Sequence, residues 1–223
     1  MEDIVNAMER LSQPLSRAEL AVDAIRKGIL GGVFTPGQQL VERTLAAQLG
    51  VSKTPIREAL RSLENSGLLE SHPTRGVVVR RVDAKLVENL YEFRLLLEPT
   101  AVRLAVPHHS PDLLQHAHTT LKSARQRGGQ HDLSELSQLN RTFHELLYQP
   151  CPNDLIKTGL SGMRDQLTLV AASGWRAQPS WEFERREHLA ILEAVKAGDA
   201  DKASKLTYDH IQSAWSRLLS TVG

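Results

Sequence analysis

The sequence predicts a mainly α-helical protein in two parts: an N-terminal unit of three short helices closed by a β-hairpin, then an all-α antiparallel helical bundle. Three observations carry that expectation. Apolar residues recur at three- and four-residue spacing along most of the chain. Breakers punctuate these stretches at Gly31-Gly32, Pro36-Gly37, Gly50, Gly67, Pro107/Pro111, Gly128-Gly129, Pro150/Pro152, Pro179 and Gly198-Asp199. Only once do two apolar or β-branched runs flank a polar turn, around His72 to Gly76, and no strand pattern follows Arg81.

The chain has 223 residues, enough for two compact domains, and its 41% hydrophobic content suits folded ones. No apolar run approaches the roughly 18–20 residues of a membrane span. The N-terminal stretch MEDIVNAMERLSQ lacks a signal peptide's apolar core. A single cysteine, Cys151, excludes an intrachain disulfide and fits a reducing compartment. A cytoplasmic protein with no membrane partner is expected. Net charge is only +1, but residues 15–81 hold ten Lys/Arg against six Asp/Glu, whereas 82–223 hold sixteen against seventeen. The mildly basic N-terminal third is compatible with phosphate contacts.

In order, residues 16–31 read as a helix carrying Leu20, Ala24 and Ile25. Phe34 to Gly37 is a turn. A second helix spans about Glu42 to Leu49, with Gly50 as its left-handed stop. A third runs from about Thr54 to Asn65, with Pro55 in its first turn. The hairpin follows, from Leu68 to Val79. After Val82, Asp83 can cap a long helix from Ala84 to Val106, and further helices are expected at about 111–127, 131–148, 153–172, 181–197 and 199–220. The expected domains are therefore an extension at 1–15, a small domain at 16–81 and a helical domain at 82–223.

The segment TLAAQLGVSKTPIREALRSLENSGLL is the most informative. Leu45 and Leu49 on one helix, and Ile56, Ala59, Leu60 and Leu63 on the next, suit a shared core. Gly50-Val51-Ser52 has the length of the joint in a helix-turn-helix. Lys53, Arg57 and Arg61 recur every four residues and line the opposite side of the second helix. One reading is a solvated charged face. The other is a recognition helix in a major groove, with Thr54 beside these cations, Arg43 on a backbone phosphate, and Arg75 and Gly76 at the hairpin tip reaching the minor groove or phosphates.

VERTLAAQLGVSKTPIREALRSLENSGLLESHPTRGVVV resembles the winged helix-turn-helix DNA-binding domain of the GntR family over nearly all of residues 16–81. The resemblance implies that Arg43, Lys53, Arg57 and the wing tip at Arg75-Gly76 touch operator DNA. Arg is common where this chain has Lys53, and Lys holds a phosphate but lacks bidentate guanine reading.

In the helix at 84–106, Val87, Leu90, Arg94, Leu97 and Ala101 form an apolar stripe interrupted by one cation. A buried guanidinium needs an anion. Either Arg94 makes an internal salt bridge to Glu98 or Glu145, or it receives a ligand carboxylate. Three histidines also border apolar faces. His144 lies four residues after Asn140 beside Leu136, Leu139, Phe143 and Leu147; His188 shares a face with Ile191, Leu192 and Val195; and His210 lies between Leu206 and Ala214. They are either hydrogen-bonded core members or converge inside the bundle on an ion such as Zn or Ni. His188 and His210 are centred on residue 199, so a hairpin turning there brings them to similar depth.

YEFRLLLEPTAVRLA, LNRTFHELLY and REHLAILEAVKAGDADKASKLTYDHI together resemble the FCD ligand-binding domain of FadR-type GntR regulators, across most of residues 84–220. The resemblance implies a divalent metal ion held at Asn140, His144, His188 and His210, with Arg94 helping to bind an organic-acid effector. It departs at Asn140, where Asp is usual, so an ion would be held by a neutral amide. The expected function is a DNA-binding regulator, usually a repressor, acting as a homodimer on a near-palindromic double-stranded operator. A metallohydrolase using the three histidines is the rival, but the chain has no H-E-x-x-H, nucleophile elbow or phosphate loop, and is expected not to be an enzyme.

Overall fold

A computed structural model describes residues 15–128 and 133–221. The expected extension at 1–15, apart from Leu15, and the start of the helix expected from 131 lie outside the described residues.

The N-terminal elements are helices α1 (Arg17–Leu30), α2 (Glu42–Leu49) and α3 (Lys53–Asn65), then strands β1 (Leu69–His72) and β2 (Gly76–Val79). Local chemistry sets their ends. Ser16 and Glu19 form a reciprocal capping box at the start of α1. Gly50, at φ +67°, closes α2 in the left-handed region that disfavours side chains with a Cβ, and its N–H donates to Ala46 O. The hairpin pairs Leu69 with Val79 and His72 with Gly76. A third segment joins it: Gln39 bridges Val78, Leu40 N donates to Val77 O, and Val79 N donates to Gln38 O.

Ile25, Ile29, Leu45, Ile56, Leu60, Leu63, Leu69 and Val79 bury together in the core of this unit. Two sequence expectations change. Leu20 and Ala24 are exposed, because the buried face of α1 runs through Ala21, Ile25 and Ile29. Leu49 is also exposed; α2 buries Leu45 and Ala46 instead.

The second part comprises α4 (Ala84–Ala105), a short 3-10 turn at Val106–His108, α5 (Pro111–Gly128), α6 (Leu133–Tyr148), α7 (Asp154–Gly162), α8 (Arg164–Ala177), α9 (Trp181–Lys196) and α10 (Ala200–Leu219). The Asp83 side chain accepts from Leu86 N at 2.8 Å, capping α4 as expected. The single helix expected at 153–172 is two helices. They break at Met163, whose φ −93° and ψ 1° lie outside the helical region, directly after Gly162. Gly198, at φ +73°, turns α9 into α10, and Asp199 caps α10 through Lys202 N. Helix α10 packs along α4 and α9, α5 along α6 and α9, and α8 along α6. Among the described residues no helix is long and apolar enough to cross a membrane.

Candidate DNA-facing surface and sensing cavity

On α3, Ile56, Ala59, Leu60 and Leu63 are buried while Lys53, Thr54, Arg57 and Arg61 are exposed. The helix therefore packs on one side and presents cations on the other, free of the domain's own bulk. Arg43 is exposed on α2, and Arg75 and Gly76 are exposed at the hairpin tip, where Gly76 takes φ +68°. Arg57 is not idle. Its Nε and one terminal nitrogen each donate to a carboxylate oxygen of Glu42, both at 2.9 Å. This fork holds the guanidinium level with the start of α2, at a surface where solvent screens the pair.

In the bundle, α6, α9 and α10 bring His144, His188 and His210 together, all buried. The Nε2 of His188 lies 3.2 Å from Nε2 of His144 and 3.1 Å from Nε2 of His210. The outward nitrogens of two rings face carboxylates. Nδ1 of His210 lies 2.8 Å from Glu187, and Nδ1 of His144 lies 2.6 Å from Glu98, close but off line for a straight N–H···O bond. Burial, opposed by Glu98, pushes His144 down to about 4, and burial with the two neighbouring imidazoles pushes His188 well below its ordinary value. The His144 and His188 rings are thus held neutral rather than cationic.

Arg94 is buried and pairs with Glu98, Nε to Oε2 at 2.9 Å and a terminal nitrogen to Oε1 at 3.3 Å. Of the two internal partners the sequence offered, Glu98 is the one used; Glu145 faces Arg164 at 3.6 Å instead. Burial raises the Glu98 carboxyl, but Arg94 and His144 outweigh it and hold that carboxyl well below the usual carboxylate range. Arg94 also lines a cavity together with Asn140, His144 and His210. Asn140 sits half-buried one turn before His144.

Sequence reasoning missed several of this cavity's residues: Arg141, Trp175, Glu184 and Arg217. Trp175 Nε1 donates to Glu184 at 3.0 Å, and Arg217 lies 3.6 Å from Glu184 and 3.5 Å from Glu187. Glu187 was missed as well. Glu187 directly precedes His188, which the turn at residue 199 brings to the depth of His210, and that signal was readable.

Helix α8 belongs to both parts. Its Leu169 buries in the N-terminal core, Asp165 pairs with Arg26 of α1 at 3.1 Å, and Arg176 reaches Leu30 O at 3.5 Å. Its Leu167, Ala171, Gly174 and Trp175 line the cavity. At about 100° per residue these two sets fall on opposite sides of the helix.

A winged helix-turn-helix with a cationic recognition helix, joined to a separate helical bundle, defines a DNA-binding transcription regulator. The bacterial regulatory proteins of the gntR family match residues 17–79, and the FCD domain matches residues 89–213. The HTH-type transcriptional regulator YdhC of Bacillus subtilis (strain 168) is 32% identical, covering 83% of this chain and 84% of its own. The HTH-type transcriptional repressor RspR of Escherichia coli (strain K12) is 24% identical, covering 84% of this chain and 82% of its own. The solved structure of E. coli McbR/YncC superposes with a TM-score of 0.79 at 22% identity, covering 94% of this chain and 100% of that one. The chain belongs to the GntR family of transcription regulators, in its FCD-containing branch. Members of this family are regulators, not enzymes.

Proposed function

We propose that this regulator is a cytoplasmic homodimeric repressor whose hold on a near-palindromic operator is set by an organic acid bound beside a divalent metal ion, with residues 16–81 reading DNA and 82–223 sensing. The observation that carries the sensing half is the convergence of three imidazole Nε2 atoms. Glu98 and Glu187 favour protons on the Nδ1 side of His144 and His210, so lone pairs face inward. One proton on His188 cannot serve both neighbours well. A cation can.

The spacing suits one. With bonds of about 2.0–2.1 Å to nitrogen, two ligands stand about 2.9 Å apart at a right angle and about 3.4 Å apart at the tetrahedral angle; the separations of 3.1 and 3.2 Å fall between. His144, His188 and His210, with the amide oxygen of Asn140, would hold the ion, Zn or Ni by ligand type. When bound, it supplies positive charge that an acid's carboxylate neutralises. Arg94 stands in the same cavity wall.

On the DNA side, Arg57, Lys53, Thr54 and Arg61 would enter the major groove, with Arg43 on a phosphate and the wing tip at Arg75-Gly76 beside the minor groove. Two copies supply enough base contacts for a specific site. Repression is favoured by the likeness to RspR. Helix α8 is the suited relay, because a ligand that moves its cavity face moves Asp165 and Leu169 against α1 and the DNA-binding core.

Metal analysis of protein purified without a histidine tag tests this reading. About one divalent ion per chain is expected in the parent, and none in His188→Ala. Equal metal content in both would overturn it. If the parent is metal-free, Asn140→Asp is expected to restore binding, and failure there would also overturn it.

A further inference from the structure

Most cations lining the sensing cavity have a carboxylate. Arg94 has Glu98, and Arg217 has Glu184 and Glu187. Arg141 does not. Its side chain is 4% exposed, one terminal nitrogen donates to Tyr148 Oη at 2.6 Å and to Leu160 O at 3.4 Å, and its Nε is buried with no partner. No carboxylate among the described residues lies within ion-pair distance of it. Tyr148 and a backbone carbonyl offer dipoles, not charge. A guanidinium cannot shed its proton as a buried lysine or histidine can, so the charge stays and an anion is wanted.

Its position says which anion. Arg141 lies on α6 three residues before His144, so the two side chains are neighbours on one face, with Cβ atoms about 5–6 Å apart. Both line the sensing cavity. Arg141 also borders the cleft between α1 and α8, but there Arg26 has Asp165, Arg164 has Glu145, and the remaining cation, Lys27, is exposed to solvent.

We propose that the effector carries two acidic groups, one facing the imidazole cluster and the other seated on Arg141, which makes it a compact dicarboxylate of about four carbons. This rests on the organic-acid reading above and narrows it. Arg94, already neutralised by Glu98, orients the ligand but does not supply the unmatched charge. The two anchors start from Cβ atoms about 5–6 Å apart, so the two acidic groups are expected to sit close together, as in a diacid of about four carbons.

The test is calorimetric titration of full-length, metal-loaded protein with matched acids of three to six carbons: malonate against propionate, succinate against butyrate, and so on. The parent is expected to bind the best diacid at least about ten-fold more tightly than its matched monoacid, with the largest ratio near four carbons. In Arg141→Gln that ratio is expected to fall below about three while monoacid affinity holds. Arg141→Lys, which keeps the charge, is expected to retain part of the preference. Should Arg141→Gln fail to fold, the Lys variant and the parent's chain-length profile still decide. A parent that binds diacids and monoacids alike, or a Gln variant that keeps the ten-fold preference, overturns the inference alone. A parent that binds neither kind of acid overturns the organic-acid reading and the inference with it.

Discussion

Glu98→Gln isolates one buried charge. In the parent a single carboxylate, 1% exposed, receives Arg94 at 2.9 and 3.3 Å and touches His144 Nδ1 at 2.6 Å. The amide keeps the shape and one acceptor oxygen, but its NH2 must then face a donor from Arg94 or His144. Removing one partner of a buried pair leaves the other charge uncompensated, at about 3–5 kcal/mol. For a chain of this length each kcal/mol moves the midpoint of thermal unfolding by about 2–4 °C, so a fall of about 6–20 °C is expected. The double variant Arg94→Leu, Glu98→Leu removes both charges and is expected to lose far less than the two single variants summed, because no orphan remains. Thermal unfolding of the metal-free proteins, followed by circular dichroism, reads both. A Glu98→Gln variant within about 1 kcal/mol of the parent, or single-variant losses that simply add, would refute the reasoning.

Arg57→Ala is expected to weaken specific operator binding by about 1–3 kcal/mol, read by fluorescence anisotropy, while leaving the fold intact. Lys53→Ala is expected to flatten the salt dependence of binding, with its slope falling by about one, more than it relaxes sequence preference. For the metal-free protein, the His144 value falls from an unfolded 6.5 to about 4. The unfolded chain therefore takes up a proton the native state refuses, so stability is full above pH 6.5 and lost as pH falls toward 4, at up to about 1.4 kcal/mol per pH unit. Urea midpoints that stay flat between pH 6.5 and 5 would contradict that burial. Asp165→Ala, which removes the Arg26 pair between α8 and α1, is expected to leave acid affinity unchanged while reducing the effect of acid on operator binding, measured by paired titrations.

Much of the fold was written in the chain's punctuation. Gly50, Asp83 and Gly198 each end or start a helix through backbone chemistry that depends only on near neighbours, and the hairpin was legible from the polar turn at His72 to Gly76; the Ser16–Glu19 capping box is of the same local kind but was not singled out. The break at Met163 was not legible, because Gly159 and Gly162 within an apolar stretch do not distinguish a tolerated glycine from a stop. The exposure of Leu20 and Leu49 depends on which faces α1 and α2 turn to their neighbours, a tertiary matter. The imidazole cluster was legible as three histidines on core faces, centred by the turn at residue 199. Arg94 was ambiguous by nature, since Glu98 and a ligand carboxylate satisfy the same guanidinium. Arg141 carried no signal, because a cation on a helix ordinarily reads as surface. Its burial comes from Tyr148 and Leu160, one of them 19 residues away.

In the proposed mechanism, occupancy of the bundle controls the grip of the N-terminal domain on DNA. Its most direct measurement is operator affinity of the metal-loaded protein at fixed salt, with and without a saturating dicarboxylate, in the parent and in His188→Ala. A shift of about five- to 150-fold is expected in the parent, the range of a 1–3 kcal/mol coupling, and none in His188→Ala. Equal shifts in both proteins, or no shift in a parent that calorimetry shows to have bound the acid, would contradict it.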